Sequence, residues 1–170
     1  MKTLVVCYSR TGNTRMLARR IADAMNAEME EITDRVNRRG ILGYLRSGGA
    51  AWLRRRTEVL PMRNDPGAFD LVIVGSPTWS ASLSSPVRTF LEDHAVDLPQ
   101  VAFFCTMGGF GSERVFRQMQ AACGRRPLAT LARTERQLVS PDLSNAVDAF
   151  AAELRATHLL ESVYGFGKIQ

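Results

Sequence analysis

Little in this sequence points to metal, disulfide or acid–base chemistry. It holds 3 cysteines and 2 histidines in 170 residues. No C-x-x-C occurs, and no metal-ligand spacing links its Cys and His residues, which argues against the common zinc sites. So few cysteines, odd in number, make no disulfide framework and suit a reducing compartment. Cys7 and Cys105 fall in apolar stretches that read as buried strands, and Cys123 ends a predicted helix. All three therefore read as small core residues. His94 and His158 fall near predicted helix ends, as caps or surface residues. No Ser/His/Asp set and no paired carboxylates stand out.

Long apolar runs are missing as well. Nothing approaches the roughly 20 residues that span a bilayer, and no apolar leader follows Lys2, so a cytoplasmic location is expected. Neither G-x-G-x-x-G nor G-x-x-x-x-G-K-[ST] occurs, so the dinucleotide and Walker A phosphate loops are absent. Lysine is scarce, at Lys2 and Lys168, yet the net charge is +5: arginine carries it. No nucleic-acid recognition motif accompanies that charge. No repeat, low-complexity segment or linker interrupts the chain, whose length suits one domain with a sizeable core.

What is present is a run of strand, hydroxyl-rich turn and helix at the start. The apolar segment 3–8 leads into Ser9-Arg10-Thr11-Gly12-Asn13-Thr14, and a helical pattern follows. The first N–H groups of a helix have no intrahelical partner, and the helix dipole adds positive charge there. Ser9, Thr11 and Thr14 supply hydroxyls, Gly12 permits close backbone approach and Asn13 tolerates turn geometry. The segment reads as a phosphate cradle, against the plainer alternative of a polar turn with a good helix cap.

Two later segments repeat the theme. The apolar run 69–75 ends in Ser76-Pro77-Thr78-Trp79-Ser80-Ala81-Ser82, read as a loop. A helix then starts with Ser85 as its cap and Pro86 at its first position. The run 100–106 leads into Met107-Gly108-Gly109-Phe110-Gly111, then a helix. Strands are predicted near 2–8, 28–33, 69–75, 100–106 and 128–139, the last partly irregular. Helices are predicted near 13–26, 85–94, 112–123 and 142–159. Alternating strands and helices imply a parallel sheet covered on both faces.

The hexad 9–14 resembles the phosphate loop of the flavodoxin-like family, [ST]-x-[TS]-G-N-T. "GSPTW" with the downstream "PVRTFLE" resembles that family's second flavin loop, and "FFCTMGGFG" its third. The matches span about the first three quarters of the chain. The resemblance implies an α/β fold: three layers around a doubly wound, five-stranded parallel sheet of order 2-1-3-4-5. Its ligand site would lie where the strand order reverses, between the first and third strands. The resemblance also implies FMN as cofactor. Ser9, Arg10, Thr11, Gly12, Asn13 and Thr14 would hold its phosphate. Pro77, Thr78, Trp79 and Ser80 would line the ring, with Trp79 stacking rather than serving as a core tryptophan. Thr106, Gly108, Gly109 and Gly111 would close the other side, the glycines letting the third loop approach the ring.

The expected organisation is one such domain over 1–160 and a tail over 161–170. The departure from a minimal flavodoxin is an insertion at about 34–66. It carries Arg35, Arg38, Arg39, Arg46, Arg54, Arg55, Arg56 and Arg63, with Ile41, Leu45, Trp52 and Leu53 near helical spacing around Gly48-Gly49. It reads as a crossover helix with solvated arginines, or as a basic flap for an anionic substrate, nicotinamide phosphate or acidic partner. An apolar patch at Trp52 would be core or a homodimer contact. Shuttle flavodoxins are typically acidic, whereas a basic surface favours a reduced, anionic flavin and two-electron work. The resemblance and the charge together imply an oxidoreductase. It would take electrons from NAD(P)H or a reductase and pass them to a quinone-like or other small acceptor. The alternatives are a one-electron carrier for an acidic redox protein and a flavin-free binding module on the same fold.

Overall fold

Alternation along the first strand builds two cores. In β1 (Thr3–Cys7) every residue is buried. Val5 and Cys7 face one side of the sheet, and Leu4 and Val6 the other, as the two-residue period of a strand requires. β3 (Leu71–Trp79) and β5 (Gln100–Met107) divide likewise: Leu71, Ile73, Ala102 and Phe104 join the first core, and Val72, Val74, Val101 and Phe103 the second. Strands buried on both faces read as continuous apolar runs, which is why these three were visible in sequence. The computed structural model describes residues 1–34 and 57–164.

Helices cover both faces. α1 (Asn13–Met25) buries Leu17, Ala18, Ile21, Ala22 and Met25 on the first face, at the spacing of one helical stripe. α5 (Leu143–Tyr164) adds Val147, Phe150, Ala151 and Leu154 there. α2 (Ser85–Asp93) and α3 (Ser112–Cys123) cover the second face with Val87, Phe90, Val115 and Met119. β2 (Glu28–Glu31), β6 (Pro127–Thr134) and the short α4 (Glu135–Leu138) complete the frame. The parallel strands run β2-β1-β3-β5-β6, and a two-residue β4 (Ser82–Leu83) pairs antiparallel with the end of β3. Leaving β4 aside, that is the expected order.

Several boundaries differ from the sequence reading. The third strand does not stop at Gly75 but continues through Trp79, then turns back as a hairpin with Thr78 opposite Leu83 and Trp79 opposite Ser82. Ser84, not Ser85, caps α2, and Pro86 stands one position further in than expected. Ser84 holds the cap position without a side-chain cap bond; its hydroxyl meets Ser76 Oγ at 3.0 Å instead. The stretch after β6 is helical α4, not strand. The last helix runs on to Tyr164, past its predicted end at Leu159.

Of the expected insertion, residues 35–56, with Trp52 and all its arginines except Arg63, lie outside the described residues, as do residues 165–170. The two flanks meet. Asp34 and Val59 form an antiparallel bridge, and Leu60 N donates to Thr33 O at 2.8 Å. Glu30, only 5% exposed, anchors the return. Its carboxylate accepts Arg63 N at 2.6 Å and Asn64 N at 2.9 Å. A buried carboxylate is tolerated because backbone donors satisfy it.

Candidate functional site

The carboxyl ends of β1, β3, β5 and β6 converge on one cleft. Its wall is formed by Arg10, Thr11, Asn13 and Thr14 after β1, by Pro77, Thr78 and Trp79 on β3, and by Thr106, Met107 and Gly108 at the end of β5. Glu135, the first residue of α4, closes the remaining side. The cleft lies where the connections from β1 and β3 leave in opposite directions, the position at which open α/β sheets bind ligands. The cleft is partly open and measures about 90 Å³, well under the roughly 300–1,000 Å³ of a pocket for a drug-sized ligand. By size it suits a small group, with anything larger lying along the open mouth.

The anion end is the start of α1. Gly12 caps the helix at φ 100°, a left-handed conformation that favours glycine. No side chain caps this helix and no acid stands in its first turn, so its leading N–H groups keep their capacity for an external anion. Ser9 does not face the cleft as expected. Its Oγ accepts Gly12 N at 3.1 Å and so shapes the turn. Arg15, in the first turn where a cation is unfavourable, is drawn off by Glu31 at 3.0 Å.

Hydroxyls tie the loops together. Thr14 Oγ1 and Thr106 Oγ1 lie 2.8 Å apart and buried, joining the first loop to the third. One hydroxyl donates to the other, and the acceptor keeps its own proton for a further bond. Thr78 Oγ1 is buried without a hydrogen-bond partner of regular geometry; the Cys105 thiol beneath it offers only a weak, soft contact.

Trp79 has both of its weighed roles in part. It is half-buried on a strand rather than in a loop, packs against the second core and meets Tyr8 edge-on at 5.7 Å and 86°. It also lines the cleft. Ser80 does not line it. With Ala81 it forms the two-residue turn of the hairpin, both at positive φ (48° and 55°), the twist of a type I′ turn. Gly111 is not spent on approach to a ligand either. A Cβ there would lie 2.8 Å from Cα and Cβ of Ala81, so the third loop closes onto the hairpin turn. Gly109 is exposed beyond the cleft wall, and around Gly108 and Gly109 there is open space.

The thiols stay out of the chemistry. Burial pushes Cys105 up to about 11, against the pull of the Thr78 hydroxyl. Burial, then Glu31, push Cys7 up to about 12, with Arg15 acting the other way. Both are protonated and inert near neutral pH. Among the described residues, no cluster of His, Cys, Asp or Glu could hold a metal ion, and no helix is long and apolar enough to cross a membrane.

Sequence reasoning missed Glu135. A signal for Glu135 existed. Thr134-x-x-Gln137 is a capping box, with Gln137 N bonding Thr134 Oγ1 at 3.3 Å and Thr134 N bonding Gln137 Oε1 at 2.9 Å. That pattern marks a helix start inside a stretch otherwise read as strand.

No protein-family model and no curated protein matches the chain. Solved structures do. A flavoprotein from Lactobacillus acidophilus NCFM in complex with FMN is 21% identical, with a TM-score of 0.63 over 77% of this chain and 92% of its own. A provisionally assigned flavoprotein from Bacteroides uniformis is 20% identical, with a TM-score of 0.72 over 89% and 97%. Two-electron reduced Megasphaera elsdenii flavodoxin is 18% identical, with a TM-score of 0.56 over 88% and 98%. Strand order, helices on both faces and these likenesses agree that the chain has the flavodoxin fold.

Proposed function

We propose that the protein is an FMN-binding oxidoreductase that takes electrons from NAD(P)H or a reductase and passes them to a quinone-like or other small acceptor. The observation that carries this reading is the uncapped start of α1, opening on a cleft walled by β3 and β5 at the strand-order reversal. A flavoprotein of this fold complexed with FMN supports it. The residues present fit the group. Backbone N–H groups of Asn13 and Thr14 and the Thr11 hydroxyl would hold the phosphate. Thr78 would add to the wall beside them. Pro77 and Trp79 would offer an apolar face, and Thr106 with the open backbone at Gly108 would bond the polar edge.

Bound there, FMN supplies one- and two-electron transfer. The chain's part is to position it and tune it. Arg10 on the cleft wall and the net charge of +5 favour negative charge in the site. Phe110, 80% exposed on the third loop, offers a flat acceptor an aromatic surface. The buried free cysteines suit a reducing compartment, and we place the protein in the cytoplasm.

Exposed Arg10, Arg114 and Arg136 stand on loops and first helical turns at the carboxyl end of the sheet. They favour a second reading, a carrier that docks an acidic redox protein. Anaerobic mixing of the FMN-loaded protein with NADH or NADPH, then with a benzoquinone, separates the two. Bleaching of the flavin colour by the nucleotide and its return with the quinone are expected for the enzyme. Bound flavin inert to both nucleotides contradicts the NAD(P)H route and favours the carrier.

A further inference from the structure

Glu135 is the only acidic side chain among the described residues lining the cleft. Its Oε1 accepts Asn13 Nδ2 at 3.2 Å. Asn13 is also the first residue of α1, so its backbone N–H is one of the uncapped donors of the anion site. The contact therefore brings a fixed negative charge to within a side chain's length of the place best suited to an anion. A carboxylate can accept from Asn13, but it cannot bond a phosphate oxygen unless a proton is shared.

We infer that Glu135 sets the charge selectivity of this cleft: it positions Asn13 and penalises a phosphate bound at the start of α1. A phosphate-bearing flavin then gains less over the same flavin without phosphate than the helix terminus alone would provide. The site holds FMN exchangeably rather than permanently, and discriminates against ligands of higher negative charge. The inference rests on the flavin reading of the same cleft. Glu135 is exposed, so solvent and salt moderate the effect.

The test is flavin-fluorescence titration of the wild type, Glu135→Gln and Glu135→Ala with FMN and, separately, with riboflavin, which shares the ring and polyol but lacks the phosphate. Glu135→Gln keeps an acceptor for Asn13 and removes the charge. It should tighten FMN binding about fivefold, the scale of one partly screened charge, and leave riboflavin within about twofold. The gain should shrink in high salt. Glu135→Ala also releases Asn13 and should gain less. FMN affinity that is unchanged or weaker in Glu135→Gln, or both flavins shifting together, overturns the inference while leaving the flavin site standing. Binding of neither flavin by any of the three proteins overturns the flavin reading and this inference with it.

Discussion

Gly111→Ala is expected to lower stability by about 3 kcal/mol and to weaken FMN binding at least about tenfold. Two causes add. Gly111 sits at φ 104°, where any side chain strains the backbone. The new methyl would also lie 2.8 Å from Ala81 Cα, which is backbone and cannot rotate aside. Relief would push the hairpin turn outward and move Thr78 and Trp79, the second wall of the cleft, away from the first. Neighbouring glycines serve as controls. Around Gly108 and Gly109 nothing lies within 4 Å of an added Cβ, so alanine at either should change stability by under about 0.5 kcal/mol. Adding Ala81→Gly to the Gly111 variant should restore part of the loss, because it removes one clash and suits φ 55° at position 81. Urea unfolding and flavin titration read both effects. A Gly111→Ala protein as stable as wild type would mean that the third loop does not close on the hairpin.

Phe104→Ala should cost about 3–5 kcal/mol, and Gly75→Ala about 1–3 kcal/mol, for opposite reasons. Gly75 and Phe104 are partners across the pairing of β3 and β5. A Cβ at Gly75 would overlap the outer edge of the Phe104 ring, which is fully buried. The missing side chain on one strand is thus the seat of the ring on the next, as glycine–aromatic pairs in sheets commonly are. Truncating the ring opens a cavity in the first core; filling its seat expels it. The double variant should lose less than the sum of the two, by at least about 1 kcal/mol, because the added methyl enters space the ring has left. Simple additivity in denaturant unfolding would show that the ring does not rest on Gly75.

The residues that were easiest to read are those whose local chemistry and tertiary role agree. Leu4 to Val6, Leu71 to Val74 and Val101 to Phe104 are buried on both faces of a parallel sheet, so burial itself writes the strand into composition. Gly12 and Gly111 each open a helix and punctuate the chain visibly. The hairpin was hidden because Ser76, Pro77 and Ser80 favour turns by propensity, while pairing with Leu83 and Ser82 holds Thr78 and Trp79 extended. Its turn also lacks the glycine or asparagine that normally betrays a type I′ geometry. The candidate site was legible as three loops, but not in its division of labour. Ser9, Gly12, Ser80 and Gly111 shape the turns, whereas Arg10, Thr11, Asn13, Thr14, Pro77, Thr78, Trp79, Thr106 and Gly108 form the wall. That distinction depends on which way each group points after the loops close on one another, which spacing alone does not encode.

Everything proposed for this cleft depends on FMN binding at the start of α1, between the walls of β3 and β5. Titration of the flavin-free protein with FMN, followed by visible absorbance and gel filtration, tests it most directly. Saturable uptake of one FMN per chain is expected, with a shifted flavin spectrum and co-elution on a column equilibrated with FMN. No spectral shift and no co-elution at about 100 μM FMN, far above the micromolar range of a specific small-molecule site, would contradict it.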